Sequence, residues 1–134
     1  MLDGSTLQRI LYVEDETDIQ VVVSIPLRIA GFQVELCSSG EEALRKIPGF
    51  QPDLILLDVM MPGMDGPTTL RELRRLPEAA STPVVFMTAK TQRQEIDHFL
   101  KLGALSVIMK PFDPMALTAK VTDIWRGFAA GAAS

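Results

Sequence analysis

Residues that could do chemistry stand at the carboxyl ends of four apolar runs in this sequence. They are Glu14 and Asp15 after the first run, Asp58 at the end of the third, Thr88 at the end of the fourth and Lys110 after the fifth. If the runs are parallel strands, their carboxyl ends share one edge of a sheet, where ligands bind beside the point at which strand order reverses. We therefore expect these side chains to meet in one site.

Three carboxylates at one edge would repel one another. Two like charges about 4 Å apart cost about 4 kcal/mol at an effective dielectric constant of about 20. Such a site either raises the pKa of a carboxyl group or binds a cation, and hard oxygen ligands with one or two direct carboxylates favour Mg²⁺. A metal ion, an ammonium and a hydroxyl beside one carboxylate suit phosphoryl transfer, with Asp58 as the nucleophile.

The elements that must position this site are predicted from periodicity. Short apolar runs alternate with segments of helical spacing, which is the pattern of βα units with a parallel sheet covered on both faces. The predicted strands are Arg9–Val13, Gln33–Cys37, Leu54–Asp58, Val84–Thr88 and residues 105–109.

Helix signals lie between the strands. One apolar stripe predicts a first helix that ends at Gly31, with a kink near Pro26; its members are Ile19, Val22, Val23, Leu27 and Ala30. The last helix is expected to begin at Pro114 after the cap Asp113 and to leave residues 129–134 frayed. It is expected to bury Leu117, Val121, Ile124 and Phe128.

Three further helix starts are marked by caps. Ser39 with Glu42 and Thr91 with Gln94 have capping-box spacing and predict helices that run to about residues 47 and 102. Pro67 suits a first helical position, with Asp65 or Gly66 as its cap.

Composition bounds the class of protein. The chain has 134 residues, 47% of them hydrophobic, which fits one domain. Its single cysteine, Cys37, forms no internal disulfide and predicts a reducing compartment. The sequence shows neither an apolar run near the roughly 20 residues of a membrane helix nor a secretion signal, so a cytoplasmic location is expected. A formal charge of -4 argues against direct binding of nucleic acid.

The ordered set of motifs resembles the receiver domain of two-component response regulators. The residues that carry the resemblance are Glu14-Asp15, Asp58 followed by MPGMDG at 61–66, Thr88-Ala89 and Lys110-Pro111-Phe112. The resemblance covers residues 8–128, between a lead-in at 1–7 and a tail at 129–134. It implies a flavodoxin-like, doubly wound α/β fold of five βα units with strand order 2-1-3-4-5.

The resemblance also implies roles for single residues. Asp58 would accept a phosphoryl group from a sensor histidine kinase, a phosphotransfer protein or a small phosphodonor. Asp15 and Asp58 would bind Mg²⁺ directly, with Mn²⁺ as an alternative, Glu14 would act through a water molecule, and the Met60 carbonyl would complete the protein ligands.

Further residues would surround the phosphoryl group. Thr88, Ala89 and Lys110 would hold it, Met60 and Lys90 would tune its hydrolysis, and the peptide bond before Pro111 would be cis. The output would be altered binding to an effector protein, with no direct contact to nucleic acid or membrane. The chain is either a stand-alone regulator or one domain of a longer protein.

One departure and two alternatives accompany this interpretation. Val107 stands where receiver domains usually carry Tyr or Phe, so output must rely on Thr88, on the loop at 89–94 or on the fourth helix with His98 and Phe99. A Mg²⁺-dependent phosphohydrolase of the haloacid-dehalogenase type would need an Asp where Met60 stands. A phosphorylation-independent scaffold with the same fold is the second alternative.

Overall fold

A computed structural model describes residues 6–89, 92–110 and 113–133, and its strands form one parallel sheet. The strands are β1 (Arg9–Val13), β2 (Gln33–Cys37), β3 (Leu54–Asp58), β4 (Val84–Thr88) and β5 (Ser106–Met109). Their spatial order is β2-β1-β3-β4-β5, which confirms the order implied by the resemblance. Four predicted strands have the observed bounds, and β5 begins one residue later than predicted.

In the part of the chain that the structure describes, five α-helices and one short 3-10 helix accompany the strands. They are α1 (Thr17–Ile29), α2 (Gly40–Phe50), α3 (Gly66–Leu73), the 3-10 turn Pro77–Ala79, α4 (Arg93–Lys101) and α5 (Pro114–Ala133). Helices α1 and α5 cover one face of the sheet, and α2, α3 and α4 cover the other. Within the described residues, no helix is both long and apolar enough to cross a membrane.

The sheet is buried most deeply in its middle. Every residue of β3 and β4 is buried, because helices lie on both faces of these strands. The edge strand β2 is only half-buried over most of its length, and β5 exposes Met109. Alternate residues of β1 enter different cores: Leu11 packs toward α2 and α3, and Tyr12 packs toward α1 and α5.

Helix α1 differs from the predicted stripe. Val23 and Leu27 are buried as expected, whereas Val22 and Ala30 are exposed. The buried face is shifted toward Gln20 and Ser24, so polar residues occupy part of the surface that contacts the sheet and α5. Pro26 lies inside the helix, and the kink expected there stays a prediction.

Two helices extend beyond their predicted ends. Helix α2 continues past Ile47 to Phe50, and Gln51 closes it in the left-handed conformation (φ 52°) by donating its backbone N–H to the Ile47 carbonyl. The frayed tail expected after Phe128 is wrong for most of its length, because α5 continues to Ala133. Trp125 joins the predicted core of α5, with Ile124 and Phe128 only half-buried.

The predicted caps of three helices are confirmed. Ser39 accepts the Glu42 N–H at the start of α2, Asp65 accepts the Thr68 N–H at the start of α3, and Asp113 accepts the Met115 N–H at the start of α5. Helix α4 begins after Gln92, whose side chain makes no capping bond. The predicted cap Thr91 and the predicted cis bond at Pro111 lie outside the described residues. The division at residues 7/8 and 128/129 stays a prediction.

Candidate functional site

The acidic residues predicted from strand ends lie together. Strands β1 and β3 are neighbours, so Glu14 and Asp15, which follow β1, meet Asp58 at the end of β3. One carboxylate oxygen from each of the three residues lies within 4.8 Å of those of the other two. Glu14 and Asp58 are buried, and Asp15 is half-buried at the mouth of the cluster.

Lys110 joins two of these carboxylates. Its Nζ lies 3.0 Å from Glu14 Oε1 and 3.1 Å from Asp58 Oδ1. The backbone N–H of Lys110 donates to the Thr88 carbonyl at 2.8 Å, which ties the lysine to the end of β4. Three carboxylates and one ammonium leave two negative charges unbalanced among these four groups.

The pKa values of the two buried carboxyl groups shift in opposite directions. Burial, helped by the negative charge of Glu14, raises the pKa of Asp58 from 3.8 to about 6, although Lys110 opposes the shift. Burial also acts to raise the pKa of Glu14, but the hydrogen bond and positive charge of Lys110 outweigh it, so the pKa of Glu14 lies below its usual value. Asp58 is therefore the carboxyl group of this pair that takes up a proton first as the pH falls.

The same contacts stabilise the positive charge of Lys110. Burial alone would lower the pKa of Lys110, yet its hydrogen bond to Glu14 and the negative charge of Asp58 raise the pKa above its usual value. Lys110 is thus charged at neutral pH and is a fixed counter-ion for the two buried carboxylates.

Thr88 and Ala89 lie on the β4 side of the site. Thr88 ends β4 and is buried. Ala89 and Lys110 line a cavity of about 520 Å³ that also borders the start of α1. Its other lining residues are Asp18, Ile19, Val22, Val23 and Pro114. The cavity therefore borders the lysine that contacts Asp58.

The loop after Asp58 is shaped by a close backbone approach. The Gly66 N–H donates to the Val59 carbonyl at 2.9 Å. A Cβ added at Gly66 would lie 2.8 Å from both the Asp58 carbonyl oxygen and Val59 Cα. Only a glycine allows the loop to fold back this tightly without displacing the backbone that carries Asp58.

Met60 has two relations to the site. Its backbone N–H lies 3.4 Å from Asp58 Oδ1, so it orients the carboxylate. Its side chain is 64% exposed beside the site rather than packed in the core. The second predicted tuning residue, Lys90, lies outside the described residues.

Two polar residues of the site were missed by sequence reasoning. Gln20 of α1 is buried, and its amide donates to the main-chain carbonyls of Glu14 and Cys37 and to the Ser38 hydroxyl. Tyr12 is buried in β1, and its hydroxyl lies 3.4 Å from Glu14 Oε1. A polar group on the buried face of an element was the available signal in both cases.

Val107 lies away from the cluster of charges. It is half-buried on β5 and packs into the core beneath α4, beside its register partner Phe86. Phe86 in turn makes an edge-to-face contact with Phe99 of α4, with ring centroids 5.3 Å apart. His98 is exposed on the same helix, as its polar surroundings in the sequence predict.

The donor set fits a hard divalent cation. Carboxylate oxygens from Glu14, Asp15 and Asp58 are close enough to surround one ion, and their excess negative charge would favour it. The set contains no sulfur or imidazole ligand, since the single histidine is on α4 and Cys37 is buried at the end of β2. Carboxylates of this kind suit Mg²⁺ and Mn²⁺ rather than softer metals.

Comparisons with known proteins agree with this geometry. A family model described as the response regulator receiver domain matches residues 10–122. The DNA-binding response regulator MtrA of Mycobacterium tuberculosis is 40% identical over 114 residues, which cover 85% of this chain and 49% of MtrA. The transcriptional regulatory protein BaeR of Escherichia coli is 42% identical over 120 residues, covering 88% of this chain and 48% of BaeR. This chain therefore spans about half the length of the curated relatives that it matches.

A solved structure gives the same result for the fold. The chemotaxis protein CheY4 of Vibrio cholerae has a TM-score of 0.82 and 30% sequence identity, covering 89% of this chain and 99% of that one. The segment matched by the family model contains all four strand ends that build the acidic site. The chain belongs to the receiver domain family of two-component response regulators.

Proposed function

We propose that Asp58 is the phosphoacceptor of this receiver domain and that phosphorylation at Asp58 alters binding to an effector protein. The observation that carries the proposal is the contact of Asp58 with Lys110 within the cluster formed with the carboxylates of Glu14 and Asp15. A buried carboxylate with a fixed ammonium at 3.1 Å and acidic neighbours able to bind a cation has the partners that a transferred phosphoryl group needs.

The donor is a phosphohistidine of a sensor kinase or of a phosphotransfer protein, or a small phosphodonor. One carboxylate oxygen of Asp58 attacks phosphorus, the new bond is P–O, and the P–N bond to the donor imidazole breaks. The imidazole leaves with the electron pair of that bond and takes up a proton. Lys110 would contact an oxygen of the phosphoryl group, and Thr88 and Ala89, at the end of β4, would hold another.

The cation proposed for this step is Mg²⁺, with Mn²⁺ as a substitute. Asp15 and Asp58 would be direct ligands together with the Met60 carbonyl, and Glu14 would act through a water molecule. When bound, the ion supplies positive charge to the phosphoryl oxygens. The contribution of the chain is to hold the carboxylate oxygens at the ends of two neighbouring strands, β1 and β3.

The protein is proposed to assist its own phosphorylation and dephosphorylation rather than to turn over a separate substrate. A phosphohydrolase with an aspartate nucleophile needs a nearby general acid. The residue two positions after Asp58 is Met60, whose exposed thioether cannot donate a proton. An apolar side chain at that position would instead restrict the approach of water to the acyl phosphate.

Output is proposed to run through β4 and α4. Val107 offers no large ring that could change rotamer, so the response must use Thr88, residues of the following loop, or the face of α4 that carries His98 and Phe99. Comparing the protein with and without beryllofluoride by NMR would test this. If Thr88 and α4 keep their chemical shifts while the analogue binds, output takes another route.

The effector is proposed to be a protein bound by this domain, or a further domain of a longer chain. The relative MtrA is named as a DNA-binding regulator, but this chain spans about half of that protein. The formal charge of -4 does not favour direct contact with a phosphate backbone.

Intact-mass spectrometry tests the phosphoacceptor. The protein is incubated with Mg²⁺ and acetyl phosphate, and we expect a gain of one phosphoryl group that does not occur when EDTA is present from the start. Asp58→Asn should abolish the gain, whereas Asp123→Asn, a change of an exposed aspartate on α5, should leave it intact. A mass gain that persists in Asp58→Asn would show that another residue is the phosphoacceptor and would refute the proposal.

A further inference from the structure

Tyr12 carries a hydroxyl group in a place where a purely apolar side chain would pack. It lies in β1 with 0% of its surface exposed, within the core between the sheet and helices α1 and α5. Its neighbours in that core include Ile10, Leu54 and Leu56, all fully buried. Because buried polar groups are normally paired, the partner of this hydroxyl shows what it does.

The partner is a member of the acidic site. Tyr12 lies near the end of β1, and Glu14, two residues later, directly follows the strand, so the alternation of side chains along the strand places both on the same face of the sheet. The Tyr12 hydroxyl donates to Glu14 Oε1 at 3.4 Å. It thus reaches the site from inside the core, on the side opposite to solvent.

Glu14 Oε1 is shared between two donors. Lys110 Nζ lies 3.0 Å from this oxygen, closer than the Tyr12 hydroxyl, while the Glu16 N–H donates to Oε2 at 3.3 Å. Lys110 also contacts Asp58 Oδ1 at 3.1 Å. A group that draws the ammonium toward Asp58 therefore takes the nearer donor away from Glu14 Oε1 and leaves Tyr12 in place.

We propose that the Tyr12 hydroxyl is a positioning group of the cation site, which restrains Glu14 Oε1 both before and after Lys110 is drawn to a group at Asp58. The inference rests on the proposed function, because it assigns Glu14 to a cation. Tyr12 does not touch the cation or the phosphoryl group. It acts by restricting the orientation of Glu14, as groups that hydrogen-bond to metal ligands do in other metal sites.

Binding of Mn²⁺ tests this without any phosphoryl transfer. Free Mn²⁺ is measured by electron paramagnetic resonance during titration of the wild type, Tyr12→Phe, Glu14→Gln and the double variant at one pH. Tyr12→Phe keeps the ring and removes only the hydroxyl, and we expect about tenfold weaker binding, the lower end of the range for such groups. In the Glu14→Gln background the same change should have no further effect, since the charged carboxylate that the hydroxyl positions toward the cation is already gone.

Ser24→Ala is the matched control, because it removes a buried hydroxyl of α1 that donates to the Val21 carbonyl and not to the site. Its Mn²⁺ affinity should equal that of the wild type. Equal affinity of Tyr12→Phe and wild type would overturn the inference while leaving the proposed function intact. An equal loss in the Glu14→Gln background would overturn it too, since the effect would then be general softening of the core.

Two further results are decisive. A wild type that binds no Mn²⁺ contradicts both the proposed cation site and the inference. If Tyr12→Phe does not fold, the ultraviolet difference spectrum of the wild type tests the inference, because Tyr12 is the only tyrosine of the chain. Saturation with Mn²⁺ should then change the tyrosine bands of the ultraviolet difference spectrum, and a spectrum without tyrosine bands would refute the inference.

Discussion

Removing the charge of Asp58 should stabilise the metal-free protein. Asp58 is 3% exposed, and its pKa in the folded protein is about 6 against a usual value of 3.8. The difference of about two units corresponds to about 3 kcal/mol by which the ionised carboxylate opposes folding at neutral pH. Asp58→Asn keeps the shape of the side chain and an oxygen for Lys110, so we expect a gain of about 1–3 kcal/mol in the free energy of unfolding.

The gain in the free energy of unfolding should depend on pH. A carboxyl group whose pKa is raised by folding contributes stability below its unfolded pKa, and this contribution is lost as the pH rises through the folded pKa. The advantage of Asp58→Asn should therefore be small below about pH 4, grow between about pH 4 and pH 6, and stay nearly constant above that. Added Mg²⁺ should oppose the trend by stabilising the wild type, by about 2.7 kcal/mol at a concentration one hundred times its dissociation constant.

Urea unfolding in EDTA gives the measurement, followed by far-ultraviolet circular dichroism and by the fluorescence of Trp125, the only tryptophan. Asp97→Asn is the matched control, since Asp97 is exposed on α4 and away from the site. Its unfolding free energy should follow that of the wild type at every pH. A wild type more stable than Asp58→Asn at neutral pH, or a difference that does not change with pH, would refute the electrostatic account.

Three other substitutions probe the surroundings of Asp58. Gly66→Ala should destabilise the protein by about 2–4 kcal/mol in urea unfolding, because the new Cβ would lie 2.8 Å from Val59 Cα; a loss below 1 kcal/mol would show that the loop moves freely. Lys110→Met should lower the unfolding free energy in EDTA by about 2–4 kcal/mol, since it leaves Glu14 without its nearest cation, and unchanged stability would contradict this. Met60→Asn should leave stability unchanged, because the side chain is 64% exposed, but should shorten the lifetime of the phosphorylated protein measured by intact mass; an equal or longer lifetime would exclude shielding by Met60.

The strand ends and the acidic cluster could be predicted from sequence because their causes are local. Runs of Val, Ile and Leu define the strands, and the end of each strand fixes which residue reaches the edge of the sheet. Asp15 and Asp58 therefore followed from counting along the chain together with the rule for parallel sheets. The strand order, which makes β1 and β3 neighbours, came from the family resemblance and not from periodicity.

What could not be predicted depends on contacts between distant segments. Gln20 was hidden because its amide acts on Glu14 and Cys37, whose carbonyls come together only when β1 pairs with β2. Asp53, just before β3, accepts the backbone N–H groups of residues 8 and 9 at the opposite edge of the sheet, and no local pattern marks this. The predicted buried face of α1 was wrong at Val22 and Ala30, because an apolar stripe does not show which of its members contact the sheet.

The contacts of Lys110 support a proposed route by which a change of charge at Asp58 reaches the rest of the domain without an aromatic residue at position 107. Lys110 is held by its backbone to the end of β4 and by its ammonium to the ends of β1 and β3. A phosphoryl group at Asp58 adds negative charge where Lys110 is shared, and the ammonium cannot follow it without weakening its contact to Glu14. In the proposed route, this shift reaches the backbone bond between Lys110 and Thr88, and Thr88 lies two residues beyond Phe86, which packs edge-on against Phe99 of α4. The proposed route from the charge at Asp58 to α4 thus uses only contacts that the folded chain already makes.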